Sequence, residues 1–333
     1  MGGVTTRAAS PPFAAYPALL LNLQASGRRS FLASAARRLS PLAPRRGTQS
    51  ACDYCTSRDK APPLDLNTIT AIEAPRDRAA LTPWREGDAW LGGGTWLFSE
   101  PQVHLRRLVD LAAMRWPPLV VTAAGLEIAA TCTIAELDRA VLPREWIAGA
   151  LIGRCCRALW ASFKIWNMAT VGGNICLALP AGAMTSLAAG LDATGAIWCP
   201  DGTDRTLPIA ELVTGNNTNA LRPGENLRGI FITAEALTRR AAFRHISLTA
   251  HGRSGALVIG TRRGDAFSLT ITASTPRPVQ LRFDRLPAAA DLAAAIERAI
   301  PSGAWFDDMH GRPDWRRHVT LLHAEEIRRE LAA

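Results

Sequence analysis

Two glycine-rich segments carry the residue pattern with the clearest chemical meaning in this chain. The first is Leu91–Leu97 (LGGGTWL), and the second, about eighty residues later, is Thr170–Pro180 (TVGGNICLALP). In each segment, a predicted turn comes directly after an apolar stretch. Its glycines leave the backbone uncovered, so that consecutive N–H groups are expected to point at one anion. Two such turns in one domain suit a ligand with two adjacent phosphates, and a dinucleotide is the natural candidate.

The charge of the chain is concentrated at its N-terminus. The net charge is +9, but residues 1–60 hold nine Arg or Lys and two Asp, so the remaining residues carry only +2. A nearly neutral body argues against binding to nucleic acid or another polyanion. Hydrophobic residues make up 48% of the sequence but form no apolar run of about eighteen residues, so we predict no membrane span.

The cysteines and histidines lack the spacing of a metal site. The seven cysteines are scattered through a chain long enough for a full core, which favours free thiols in a reducing compartment and therefore a cytoplasmic protein. Cys52 and Cys55 form a CxxC pair without a second pair, and His318 and His323 are five residues apart rather than four. No run of cysteines fits an iron–sulfur ligand set. We assign no metal ligand and no catalytic side chain.

Residues 1–63 differ in composition from the rest of the chain. They are rich in Ser, Pro, Ala and Arg, with no acidic residue before Asp53, and such a segment buries too little apolar surface to fold. We expect a disordered basic extension. Its Arg28-Arg29 pair lacks the apolar region of a twin-arginine signal, and an Arg-rich, acid-poor start also resembles a transit peptide. The composition favours an upstream start codon, with the protein proper beginning near Leu64.

Hydrophobic periodicity divides the rest of the chain into short strands and helices in mixed order, which is typical of an α+β fold. Thr133 and Glu136 form a capping-box pattern, which predicts a helix that starts at Ile134. The other predicted elements are strands over 88–91, 108–111, 119–122, 126–130, 193–199, 205–208, 267–272 and 279–283, and helices over 151–163, 186–191, 291–300 and 314–331. We expect the strands over 119–122 and 126–130 to pair as one hairpin, and those over 193–199 and 205–208 to pair as another.

The order of these features resembles the FAD-binding subunit of the molybdenum hydroxylases. That family includes the medium subunit of carbon monoxide dehydrogenase and the flavin domain of xanthine dehydrogenase. One glycine loop alone is a weak signal, whereas two loops with ordered flanking motifs are specific. The matching motifs are Gly-Gly-Thr-x-Leu in the first loop, LVDL at 108–111, IAATCTIAEL at 128–137, TVGGN at 170–174 followed by Pro180, PGE at 223–225, FRHIS at 243–247 and DWRR at 314–317.

The resemblance implies both a fold and a set of cofactors. Residues 64–234 should form a two-lobed FAD-binding domain of the vanillyl-alcohol-oxidase (PCMH) type. Residues 235–333 should form a smaller α+β domain, the C-terminal domain of such flavoprotein subunits. FAD should be held non-covalently on this chain, whereas the molybdenum cofactor and [2Fe–2S] clusters are expected only on partner chains.

The resemblance also implies which residues bind the cofactor. The two loops should wrap the diphosphate and ribose, and three further side chains match family residues near the flavin. The complete set is Leu91, Gly92, Gly93, Gly94, Thr95, Trp96, Leu97, Trp160, Thr170, Val171, Gly172, Gly173, Asn174, Leu227 and Arg244. Two positions depart from the family: Trp96 replaces a small or acidic residue, and Ala183 replaces an Asp that bonds the cofactor. Losing one hydrogen bond costs about 1–3 kcal/mol against many contacts, so we expect FAD binding to survive.

The function that the resemblance implies is electron transfer within a larger oxidoreductase. Substrate would be hydroxylated on a molybdopterin-binding large subunit, electrons would cross an iron–sulfur subunit, and FAD on this chain would hand them to an acceptor. Two alternatives stay open. One is a structural subunit that has lost FAD, motivated by Trp96 and Ala183. The other is a stand-alone flavin oxidoreductase of the same fold, which needs a catalytic acid that we cannot place in the sequence.

Overall fold

A three-stranded parallel sheet leads into the first glycine loop. The computed structural model describes residues 66–333, and the strands of this sheet are β1 (Ala71–Glu73), β2 (Asp88–Leu91) and β3 (Arg107–Asp110). The sheet order is β1-β3-β2. The buried Arg107 side chain donates to Asp88 at 2.8 Å and to Glu73 at 2.7 Å, and its hydrogen bond lowers the pKa of Asp88. This pairing ties the three strands together directly before the loop.

A five-stranded antiparallel sheet forms the centre of the larger lobe. The strands of this region are β4 (Leu119–Thr122), β5 (Gly125–Ala129), β6 (Thr194–Trp198), β7 (Asp204–Pro208), β8 (Val213–Gly215), β9 (Thr218–Asn219) and β10 (Asn226–Thr233). The sheet order is β4-β5-β10-β6-β7, and β8 pairs only with β9. Both predicted hairpins are confirmed, since β4 pairs with β5 and β6 pairs with β7.

Short helices cover one side of this sheet and bring the second glycine segment next to it. They are α1 (Ile134–Asp138), α2 (Ala150–Ala158), α3 (Phe163–Trp166), α4 (Val171–Leu177), α5 (Ala183–Gly190), α6 (Ile209–Leu212) and α7 (Ala234–Leu237). The core between helices and sheet includes the fully buried Leu126, Ile128, Ile175 and Leu187. Burial of these side chains holds the chain that carries the loops in a fixed position.

The C-terminal part forms a second α+β layer. Its elements are β11 (Arg240–Ile246), β12 (Ala256–Arg263), β13 (Ala266–Thr272), β14 (Val279–Phe283), α8 (Ala289–Ala299) and α9 (Pro313–Ala332). The four strands form one antiparallel sheet in chain order. Phe267, Leu269 and Ile271 face a core of their own with α8 and α9. Leu257 and Ile259 of β12 instead join the core of the larger lobe, so this sheet packs against both layers.

The α+β class predicted from the sequence is confirmed, and most predicted elements differ from the structure only at their ends. The capping box at Thr133 is present, and α1 starts at Ile134 as predicted. The helix predicted over 151–163 is wrong in length, because α2 ends at Ala158 and a new helix starts after Ser162. The Ser162 hydroxyl accepts from the Ile165 N–H and caps α3, which explains the break. Within residues 66–333, none of the helices has the length and apolar composition needed to cross a membrane.

A buried arginine holds the C-terminal layer together. Arg316 of α9 is 1% exposed. Its guanidinium donates to the carbonyls of Gly311, Gly255 and Ala273 and forms an ion pair with Asp308. The DWRR motif therefore contains a structural residue, because Arg316 joins α9 to the open end of the β12–β13 hairpin, where Gly255 precedes β12 and Ala273 follows β13. The next residue, Arg317, is half exposed and pairs with Glu297 on the surface.

We predict that Arg316→Met lowers the free energy of unfolding by about 4 kcal/mol, because three buried carbonyls and one carboxylate lose their donor. Arg317→Met is the matched control, and an exposed pair of this kind contributes only about 0–1 kcal/mol. Urea unfolding of the two variants measures the difference. Equal losses in both variants would contradict the structural role of Arg316.

Candidate functional site

A cavity of about 860 Å³ lies between the two glycine segments. This volume is in the range of small-molecule and cofactor sites. The cavity walls also include segments 219–225 and 253–254, the latter from the C-terminal layer. The predicted cofactor-binding residues that line it are Leu91, Gly92, Gly93, Gly94, Thr95, Trp96, Leu97, Trp160, Thr170, Gly173 and Asn174.

The first loop offers free backbone donors at this cavity. Among the described residues, none of the five consecutive N–H groups from Gly93 to Leu97 finds a hydrogen-bond acceptor. The loop bends at Gly94, whose φ of +71° lies in the left-handed region that glycine favours. The loop closes where the Phe98 N–H donates to the Gly94 carbonyl at 2.9 Å. A run of unbonded N–H groups on a tight turn is the arrangement that binds phosphate oxygens.

The second glycine segment differs from the predicted turn. Thr170 is the N-cap of α4, so Gly172 and Gly173 lie in the first turn of a helix. The N–H groups of this turn all have acceptors within the protein. Val171 donates to Cys132 and Gly172 to Ala130, while Gly173 and Asn174 donate to the side chain and carbonyl of Thr170. The prediction of a second anion-binding turn is therefore wrong, because helix capping and the neighbouring strand use those donors.

Gly93 and Gly172 are needed for close packing of the protein backbone and not for close approach of a ligand. A Cβ on Gly93 would stand 1.5 Å from the carbonyl oxygen of Met168, and one on Gly172 would stand 2.4 Å from the Cβ of Ala130. These residues are thus required for the two segments to lie against each other and against β5. Gly173 is different, because a Cβ there meets only the Thr170 hydroxyl, at 2.9 Å, and Gly173 is exposed on the cavity wall.

An ion pair holds the part of the cavity wall formed by residues 221–225. The Glu225 side chain is almost fully buried and accepts from Arg205 at 2.6 Å and from the Arg222 N–H at 2.7 Å. The Trp90 ring of β2 donates to the Glu225 carbonyl at 2.9 Å. Glu225 thereby links β2 to the segment before β10. Glu225 is not among the predicted site residues, although it belongs to the Pro-Gly-Glu motif at 223–225.

Aromatic and amide side chains shape the remaining walls. Trp160 lies after α2, is largely exposed, and stacks on His251 with ring centroids 4.2 Å apart. Asn174 accepts from the Met184 N–H at 2.9 Å and thus joins α4 to α5. Ala183, at the position where the family carries an Asp, is fully buried in the first turn of α5, whereas its neighbour Gly182 lines the cavity.

Four of the predicted cofactor-binding residues lie outside the cavity wall. Val171 and Gly172 lie in the first turn of α4 and are buried behind the cavity wall. Leu227 is buried in β10, where it pairs with Ile197 of β6. Arg244 lies on β11 and forms ion pairs with Glu326 at 2.9 Å and Glu330 at 2.7 Å on α9. Leu227 therefore packs in the core and Arg244 forms ion pairs, and neither residue lines the cavity.

The one cysteine on the cavity wall is unsuited to thiolate chemistry. Burial raises the pKa of the Cys176 thiol to about 12, so the thiol is protonated at neutral pH. The cysteines of residues 66–333 are free, and no cluster of metal-ligating side chains is found in that part of the chain. The groups that this cavity offers a ligand are therefore mainly backbone donors, aromatic surface and hydroxyls.

We predict that Glu225→Gln lowers the free energy of unfolding by about 2 kcal/mol at pH 7, because Arg205 then loses a buried charged partner. The hydrogen bond from Arg205 lowers the pKa of Glu225 from 4.5 to about 2. The carboxylate therefore stabilises the fold fully above pH 4.5, and this contribution is lost as the pH falls towards 2. Urea unfolding from pH 7 to pH 3 measures the gap between variant and wild type. A gap that stays constant with pH would contradict this assignment.

Comparison with known proteins agrees with this geometry. The family model described as "FAD binding domain in molybdopterin dehydrogenase" matches residues 79–234, a range that contains both glycine segments. A sequence search of curated proteins finds no match.

Solved structures share the fold at low sequence identity. Quinoline 2-oxidoreductase from Pseudomonas putida 86 is 20% identical with a TM-score of 0.62, over 73% of this chain and 89% of that chain. Carbon monoxide dehydrogenase from Hydrogenophaga pseudoflava is 18% identical with a TM-score of 0.66, over 78% and 96%. A cyanide-inactivated Cu,Mo-carbon monoxide dehydrogenase is 22% identical with a TM-score of 0.66, over the same shares. Residues 79–234 thus match the model of the FAD-binding domain of molybdopterin dehydrogenases, and the chain shares its fold with these solved structures.

Proposed function

We propose that this chain is the FAD-binding electron-transfer subunit of a molybdenum hydroxylase complex. Its partners would be an iron–sulfur subunit and a molybdopterin-binding large subunit, and the complex would be cytoplasmic. The observation that carries the proposal is the run of five unbonded N–H groups from Gly93 to Leu97 on the cavity between the two glycine segments. The family match over residues 79–234 supports FAD as the ligand.

The residues present fit FAD. The backbone of Gly93–Leu97 would hold the diphosphate, while Thr170, Gly173 and Asn174 would form the adjoining part of the wall. Trp160 would provide an aromatic surface at the mouth of the cavity. When bound, FAD supplies the redox chemistry, whereas the protein supplies binding, orientation and the surrounding electrostatics. The buried Glu225–Arg205 pair adds no net charge to the wall.

Exposed apolar residues beside the cavity support a protein partner. Phe163 is 73% exposed, and Trp160, Ile165 and Met168 on the same segment are also exposed. Large apolar side chains grouped on a surface are typical of protein–protein interfaces. Because the described part of the chain is nearly neutral, apolar burial and not charge steering should drive assembly. The free cysteines support a reducing compartment.

One observation favours a second candidate, a structural subunit that binds no FAD. Ala183 is fully buried, so no carboxylate stands where the family hydrogen-bonds its cofactor. Trp96 also places a large side chain on the cavity wall. The absorbance spectrum of the purified chain distinguishes the candidates, because bound flavin is yellow.

We predict that the purified chain binds FAD non-covalently and releases it on denaturation. Gly173→Val should raise the dissociation constant for FAD roughly tenfold or more, because the branched side chain fills the cavity wall. Gly303→Val is the matched control, since a Cβ at Gly303 meets no atom within 4 Å. Flavin content and fluorescence titration measure the effect. Equal FAD binding by both variants would show that this wall does not contact the cofactor, and a folded chain that takes up no FAD would favour the structural subunit.

We predict that Phe163→Asp reduces recovery of the iron–sulfur and molybdenum subunits in a pull-down, because it places a charge in the proposed apolar interface. Met309→Asp serves as the control, since Met309 is 86% exposed on the C-terminal layer. Iron and molybdenum content of the recovered complex is the measurement. If both variants recover the partners equally well, the segment around Phe163 is not the interface.

A further inference from the structure

The five-stranded sheet of the larger lobe has one face that does not belong to the core. Glu127 of β5 stands between Leu126 and Ile128, which are both fully buried in the core under the helices. Trp198 of β6 likewise follows the fully buried Ile197. Successive side chains of a strand point to opposite faces of the sheet, so Glu127 and Trp198 lie on the side away from that core. We call this side the outer face of the sheet.

Two aromatic rings hold an arginine on the outer face. Arg228 stands at a bulge in β10. Its guanidinium carbon lies 4.1 Å from the centroid of the Trp116 ring and 6.0 Å from that of the Trp198 ring. The two indole rings meet edge to face, with centroids 5.3 Å apart. Cation–π attraction therefore fixes Arg228 in a position where its N–H donors can reach another molecule.

Glu127 and Arg228 are half-buried charges without a close partner. Neither side chain forms an ion pair or a hydrogen bond with another of residues 66–333. Burial raises the pKa of the Glu127 carboxyl and lowers the pKa of the Arg228 guanidinium, and the attraction between the two residues only partly opposes these shifts. Removing a charge from water without pairing it is costly. An opposite charge supplied by another molecule would therefore stabilise each group.

These two charges make the outer face complementary to itself. Glu127 and Arg228 lie on the neighbouring strands β5 and β10 and have opposite signs. A two-fold axis parallel to the face and midway between the two side chains would set Glu127 of each copy against Arg228 of the other. A purely acidic or purely basic partner would satisfy only one of the two groups. The half-buried Trp116, Trp198 and Val120 add apolar surface around them.

We propose that the outer face of the five-stranded sheet is an interface between two copies of this chain, in which two Glu127–Arg228 ion pairs form across a two-fold axis. None of these residues lines the cavity. They also lie outside the apolar segment around Phe163, so the inference goes beyond the proposed function and does not depend on FAD or on the other subunits. It adds a contact between like chains to the proposed complex.

The test is the mass of the full chain in solution, measured by sedimentation equilibrium. We expect the wild-type mass to rise from 35.8 kDa towards twice that value as the concentration approaches about 100 µM. Glu127→Arg and Arg228→Glu should each raise the dissociation constant of the dimer at least tenfold, because like charges then face each other in both pairs. An equimolar mixture of the two variants should recover the dimer, because opposite charges meet again in both pairs of the mixed dimer.

Glu145→Arg is the matched control. Glu145 is exposed between α1 and α2, and the same change of charge there should leave the dimer intact. Thermal unfolding checks that each variant folds, and Glu127→Arg against Glu145→Arg decides the question alone if Arg228→Glu does not. A wild-type chain that stays monomeric, a dimer that survives Glu127→Arg, or a monomeric mixture of the two folded variants would each overturn the inference. Loss of the iron–sulfur or molybdenum subunit from a monomeric Glu127→Arg chain, with a monomeric wild type, would assign this face to another subunit instead.

Discussion

The close contact between Gly93 and the Met168 carbonyl is the constraint on which the cavity depends. A methyl group at Gly93 has no room, since its carbon would lie 1.5 Å from that oxygen. The first loop must therefore lie directly against the chain that enters α4, and the two segments act as one wall. Arg107 fixes the strand before the first loop, and Thr170 caps the helix that forms most of the second segment. With both ends fixed, the free N–H groups of the loop stay oriented without further side-chain support.

The C-terminal layer completes the site instead of standing apart from it. Asp192, at the end of α5, accepts from Arg239 at 2.6 Å and from Arg282 of β14 at 2.6 Å, which ties the two layers together. Arg316 of α9 donates to the Gly255 carbonyl and so fixes the segment that leads into β12. A domain boundary near residue 234 stays a prediction. The shared core residues Leu257 and Ile259 nevertheless show that the two parts pack as neighbours over a continuous apolar surface.

The local signals in the sequence predicted many of the elements and the turn of the first loop, but they missed the strands β10, β11 and β12. The capping box at Thr133 and the two hairpins depend on neighbours in sequence, so short-range patterns suffice for them. The second glycine segment was assigned wrongly as a free turn. Its N–H groups are used by Cys132 and Ala130, whose proximity no local pattern reveals. No local pattern distinguishes Arg316 from Arg317, and only the tertiary structure shows that Arg316 is buried against three carbonyls.

The backbone N–H donors at the cavity offer a reason why this chain can carry Ala183 in place of the family's Asp. The α5 helix begins there, and its second N–H, from Met184, already has an acceptor in Asn174. A carboxylate at position 183 would have to be buried, which is costly without a charged partner. The first loop carries five donors that find no acceptor among residues 66–333, so the proposed binding of a diphosphate does not depend on position 183.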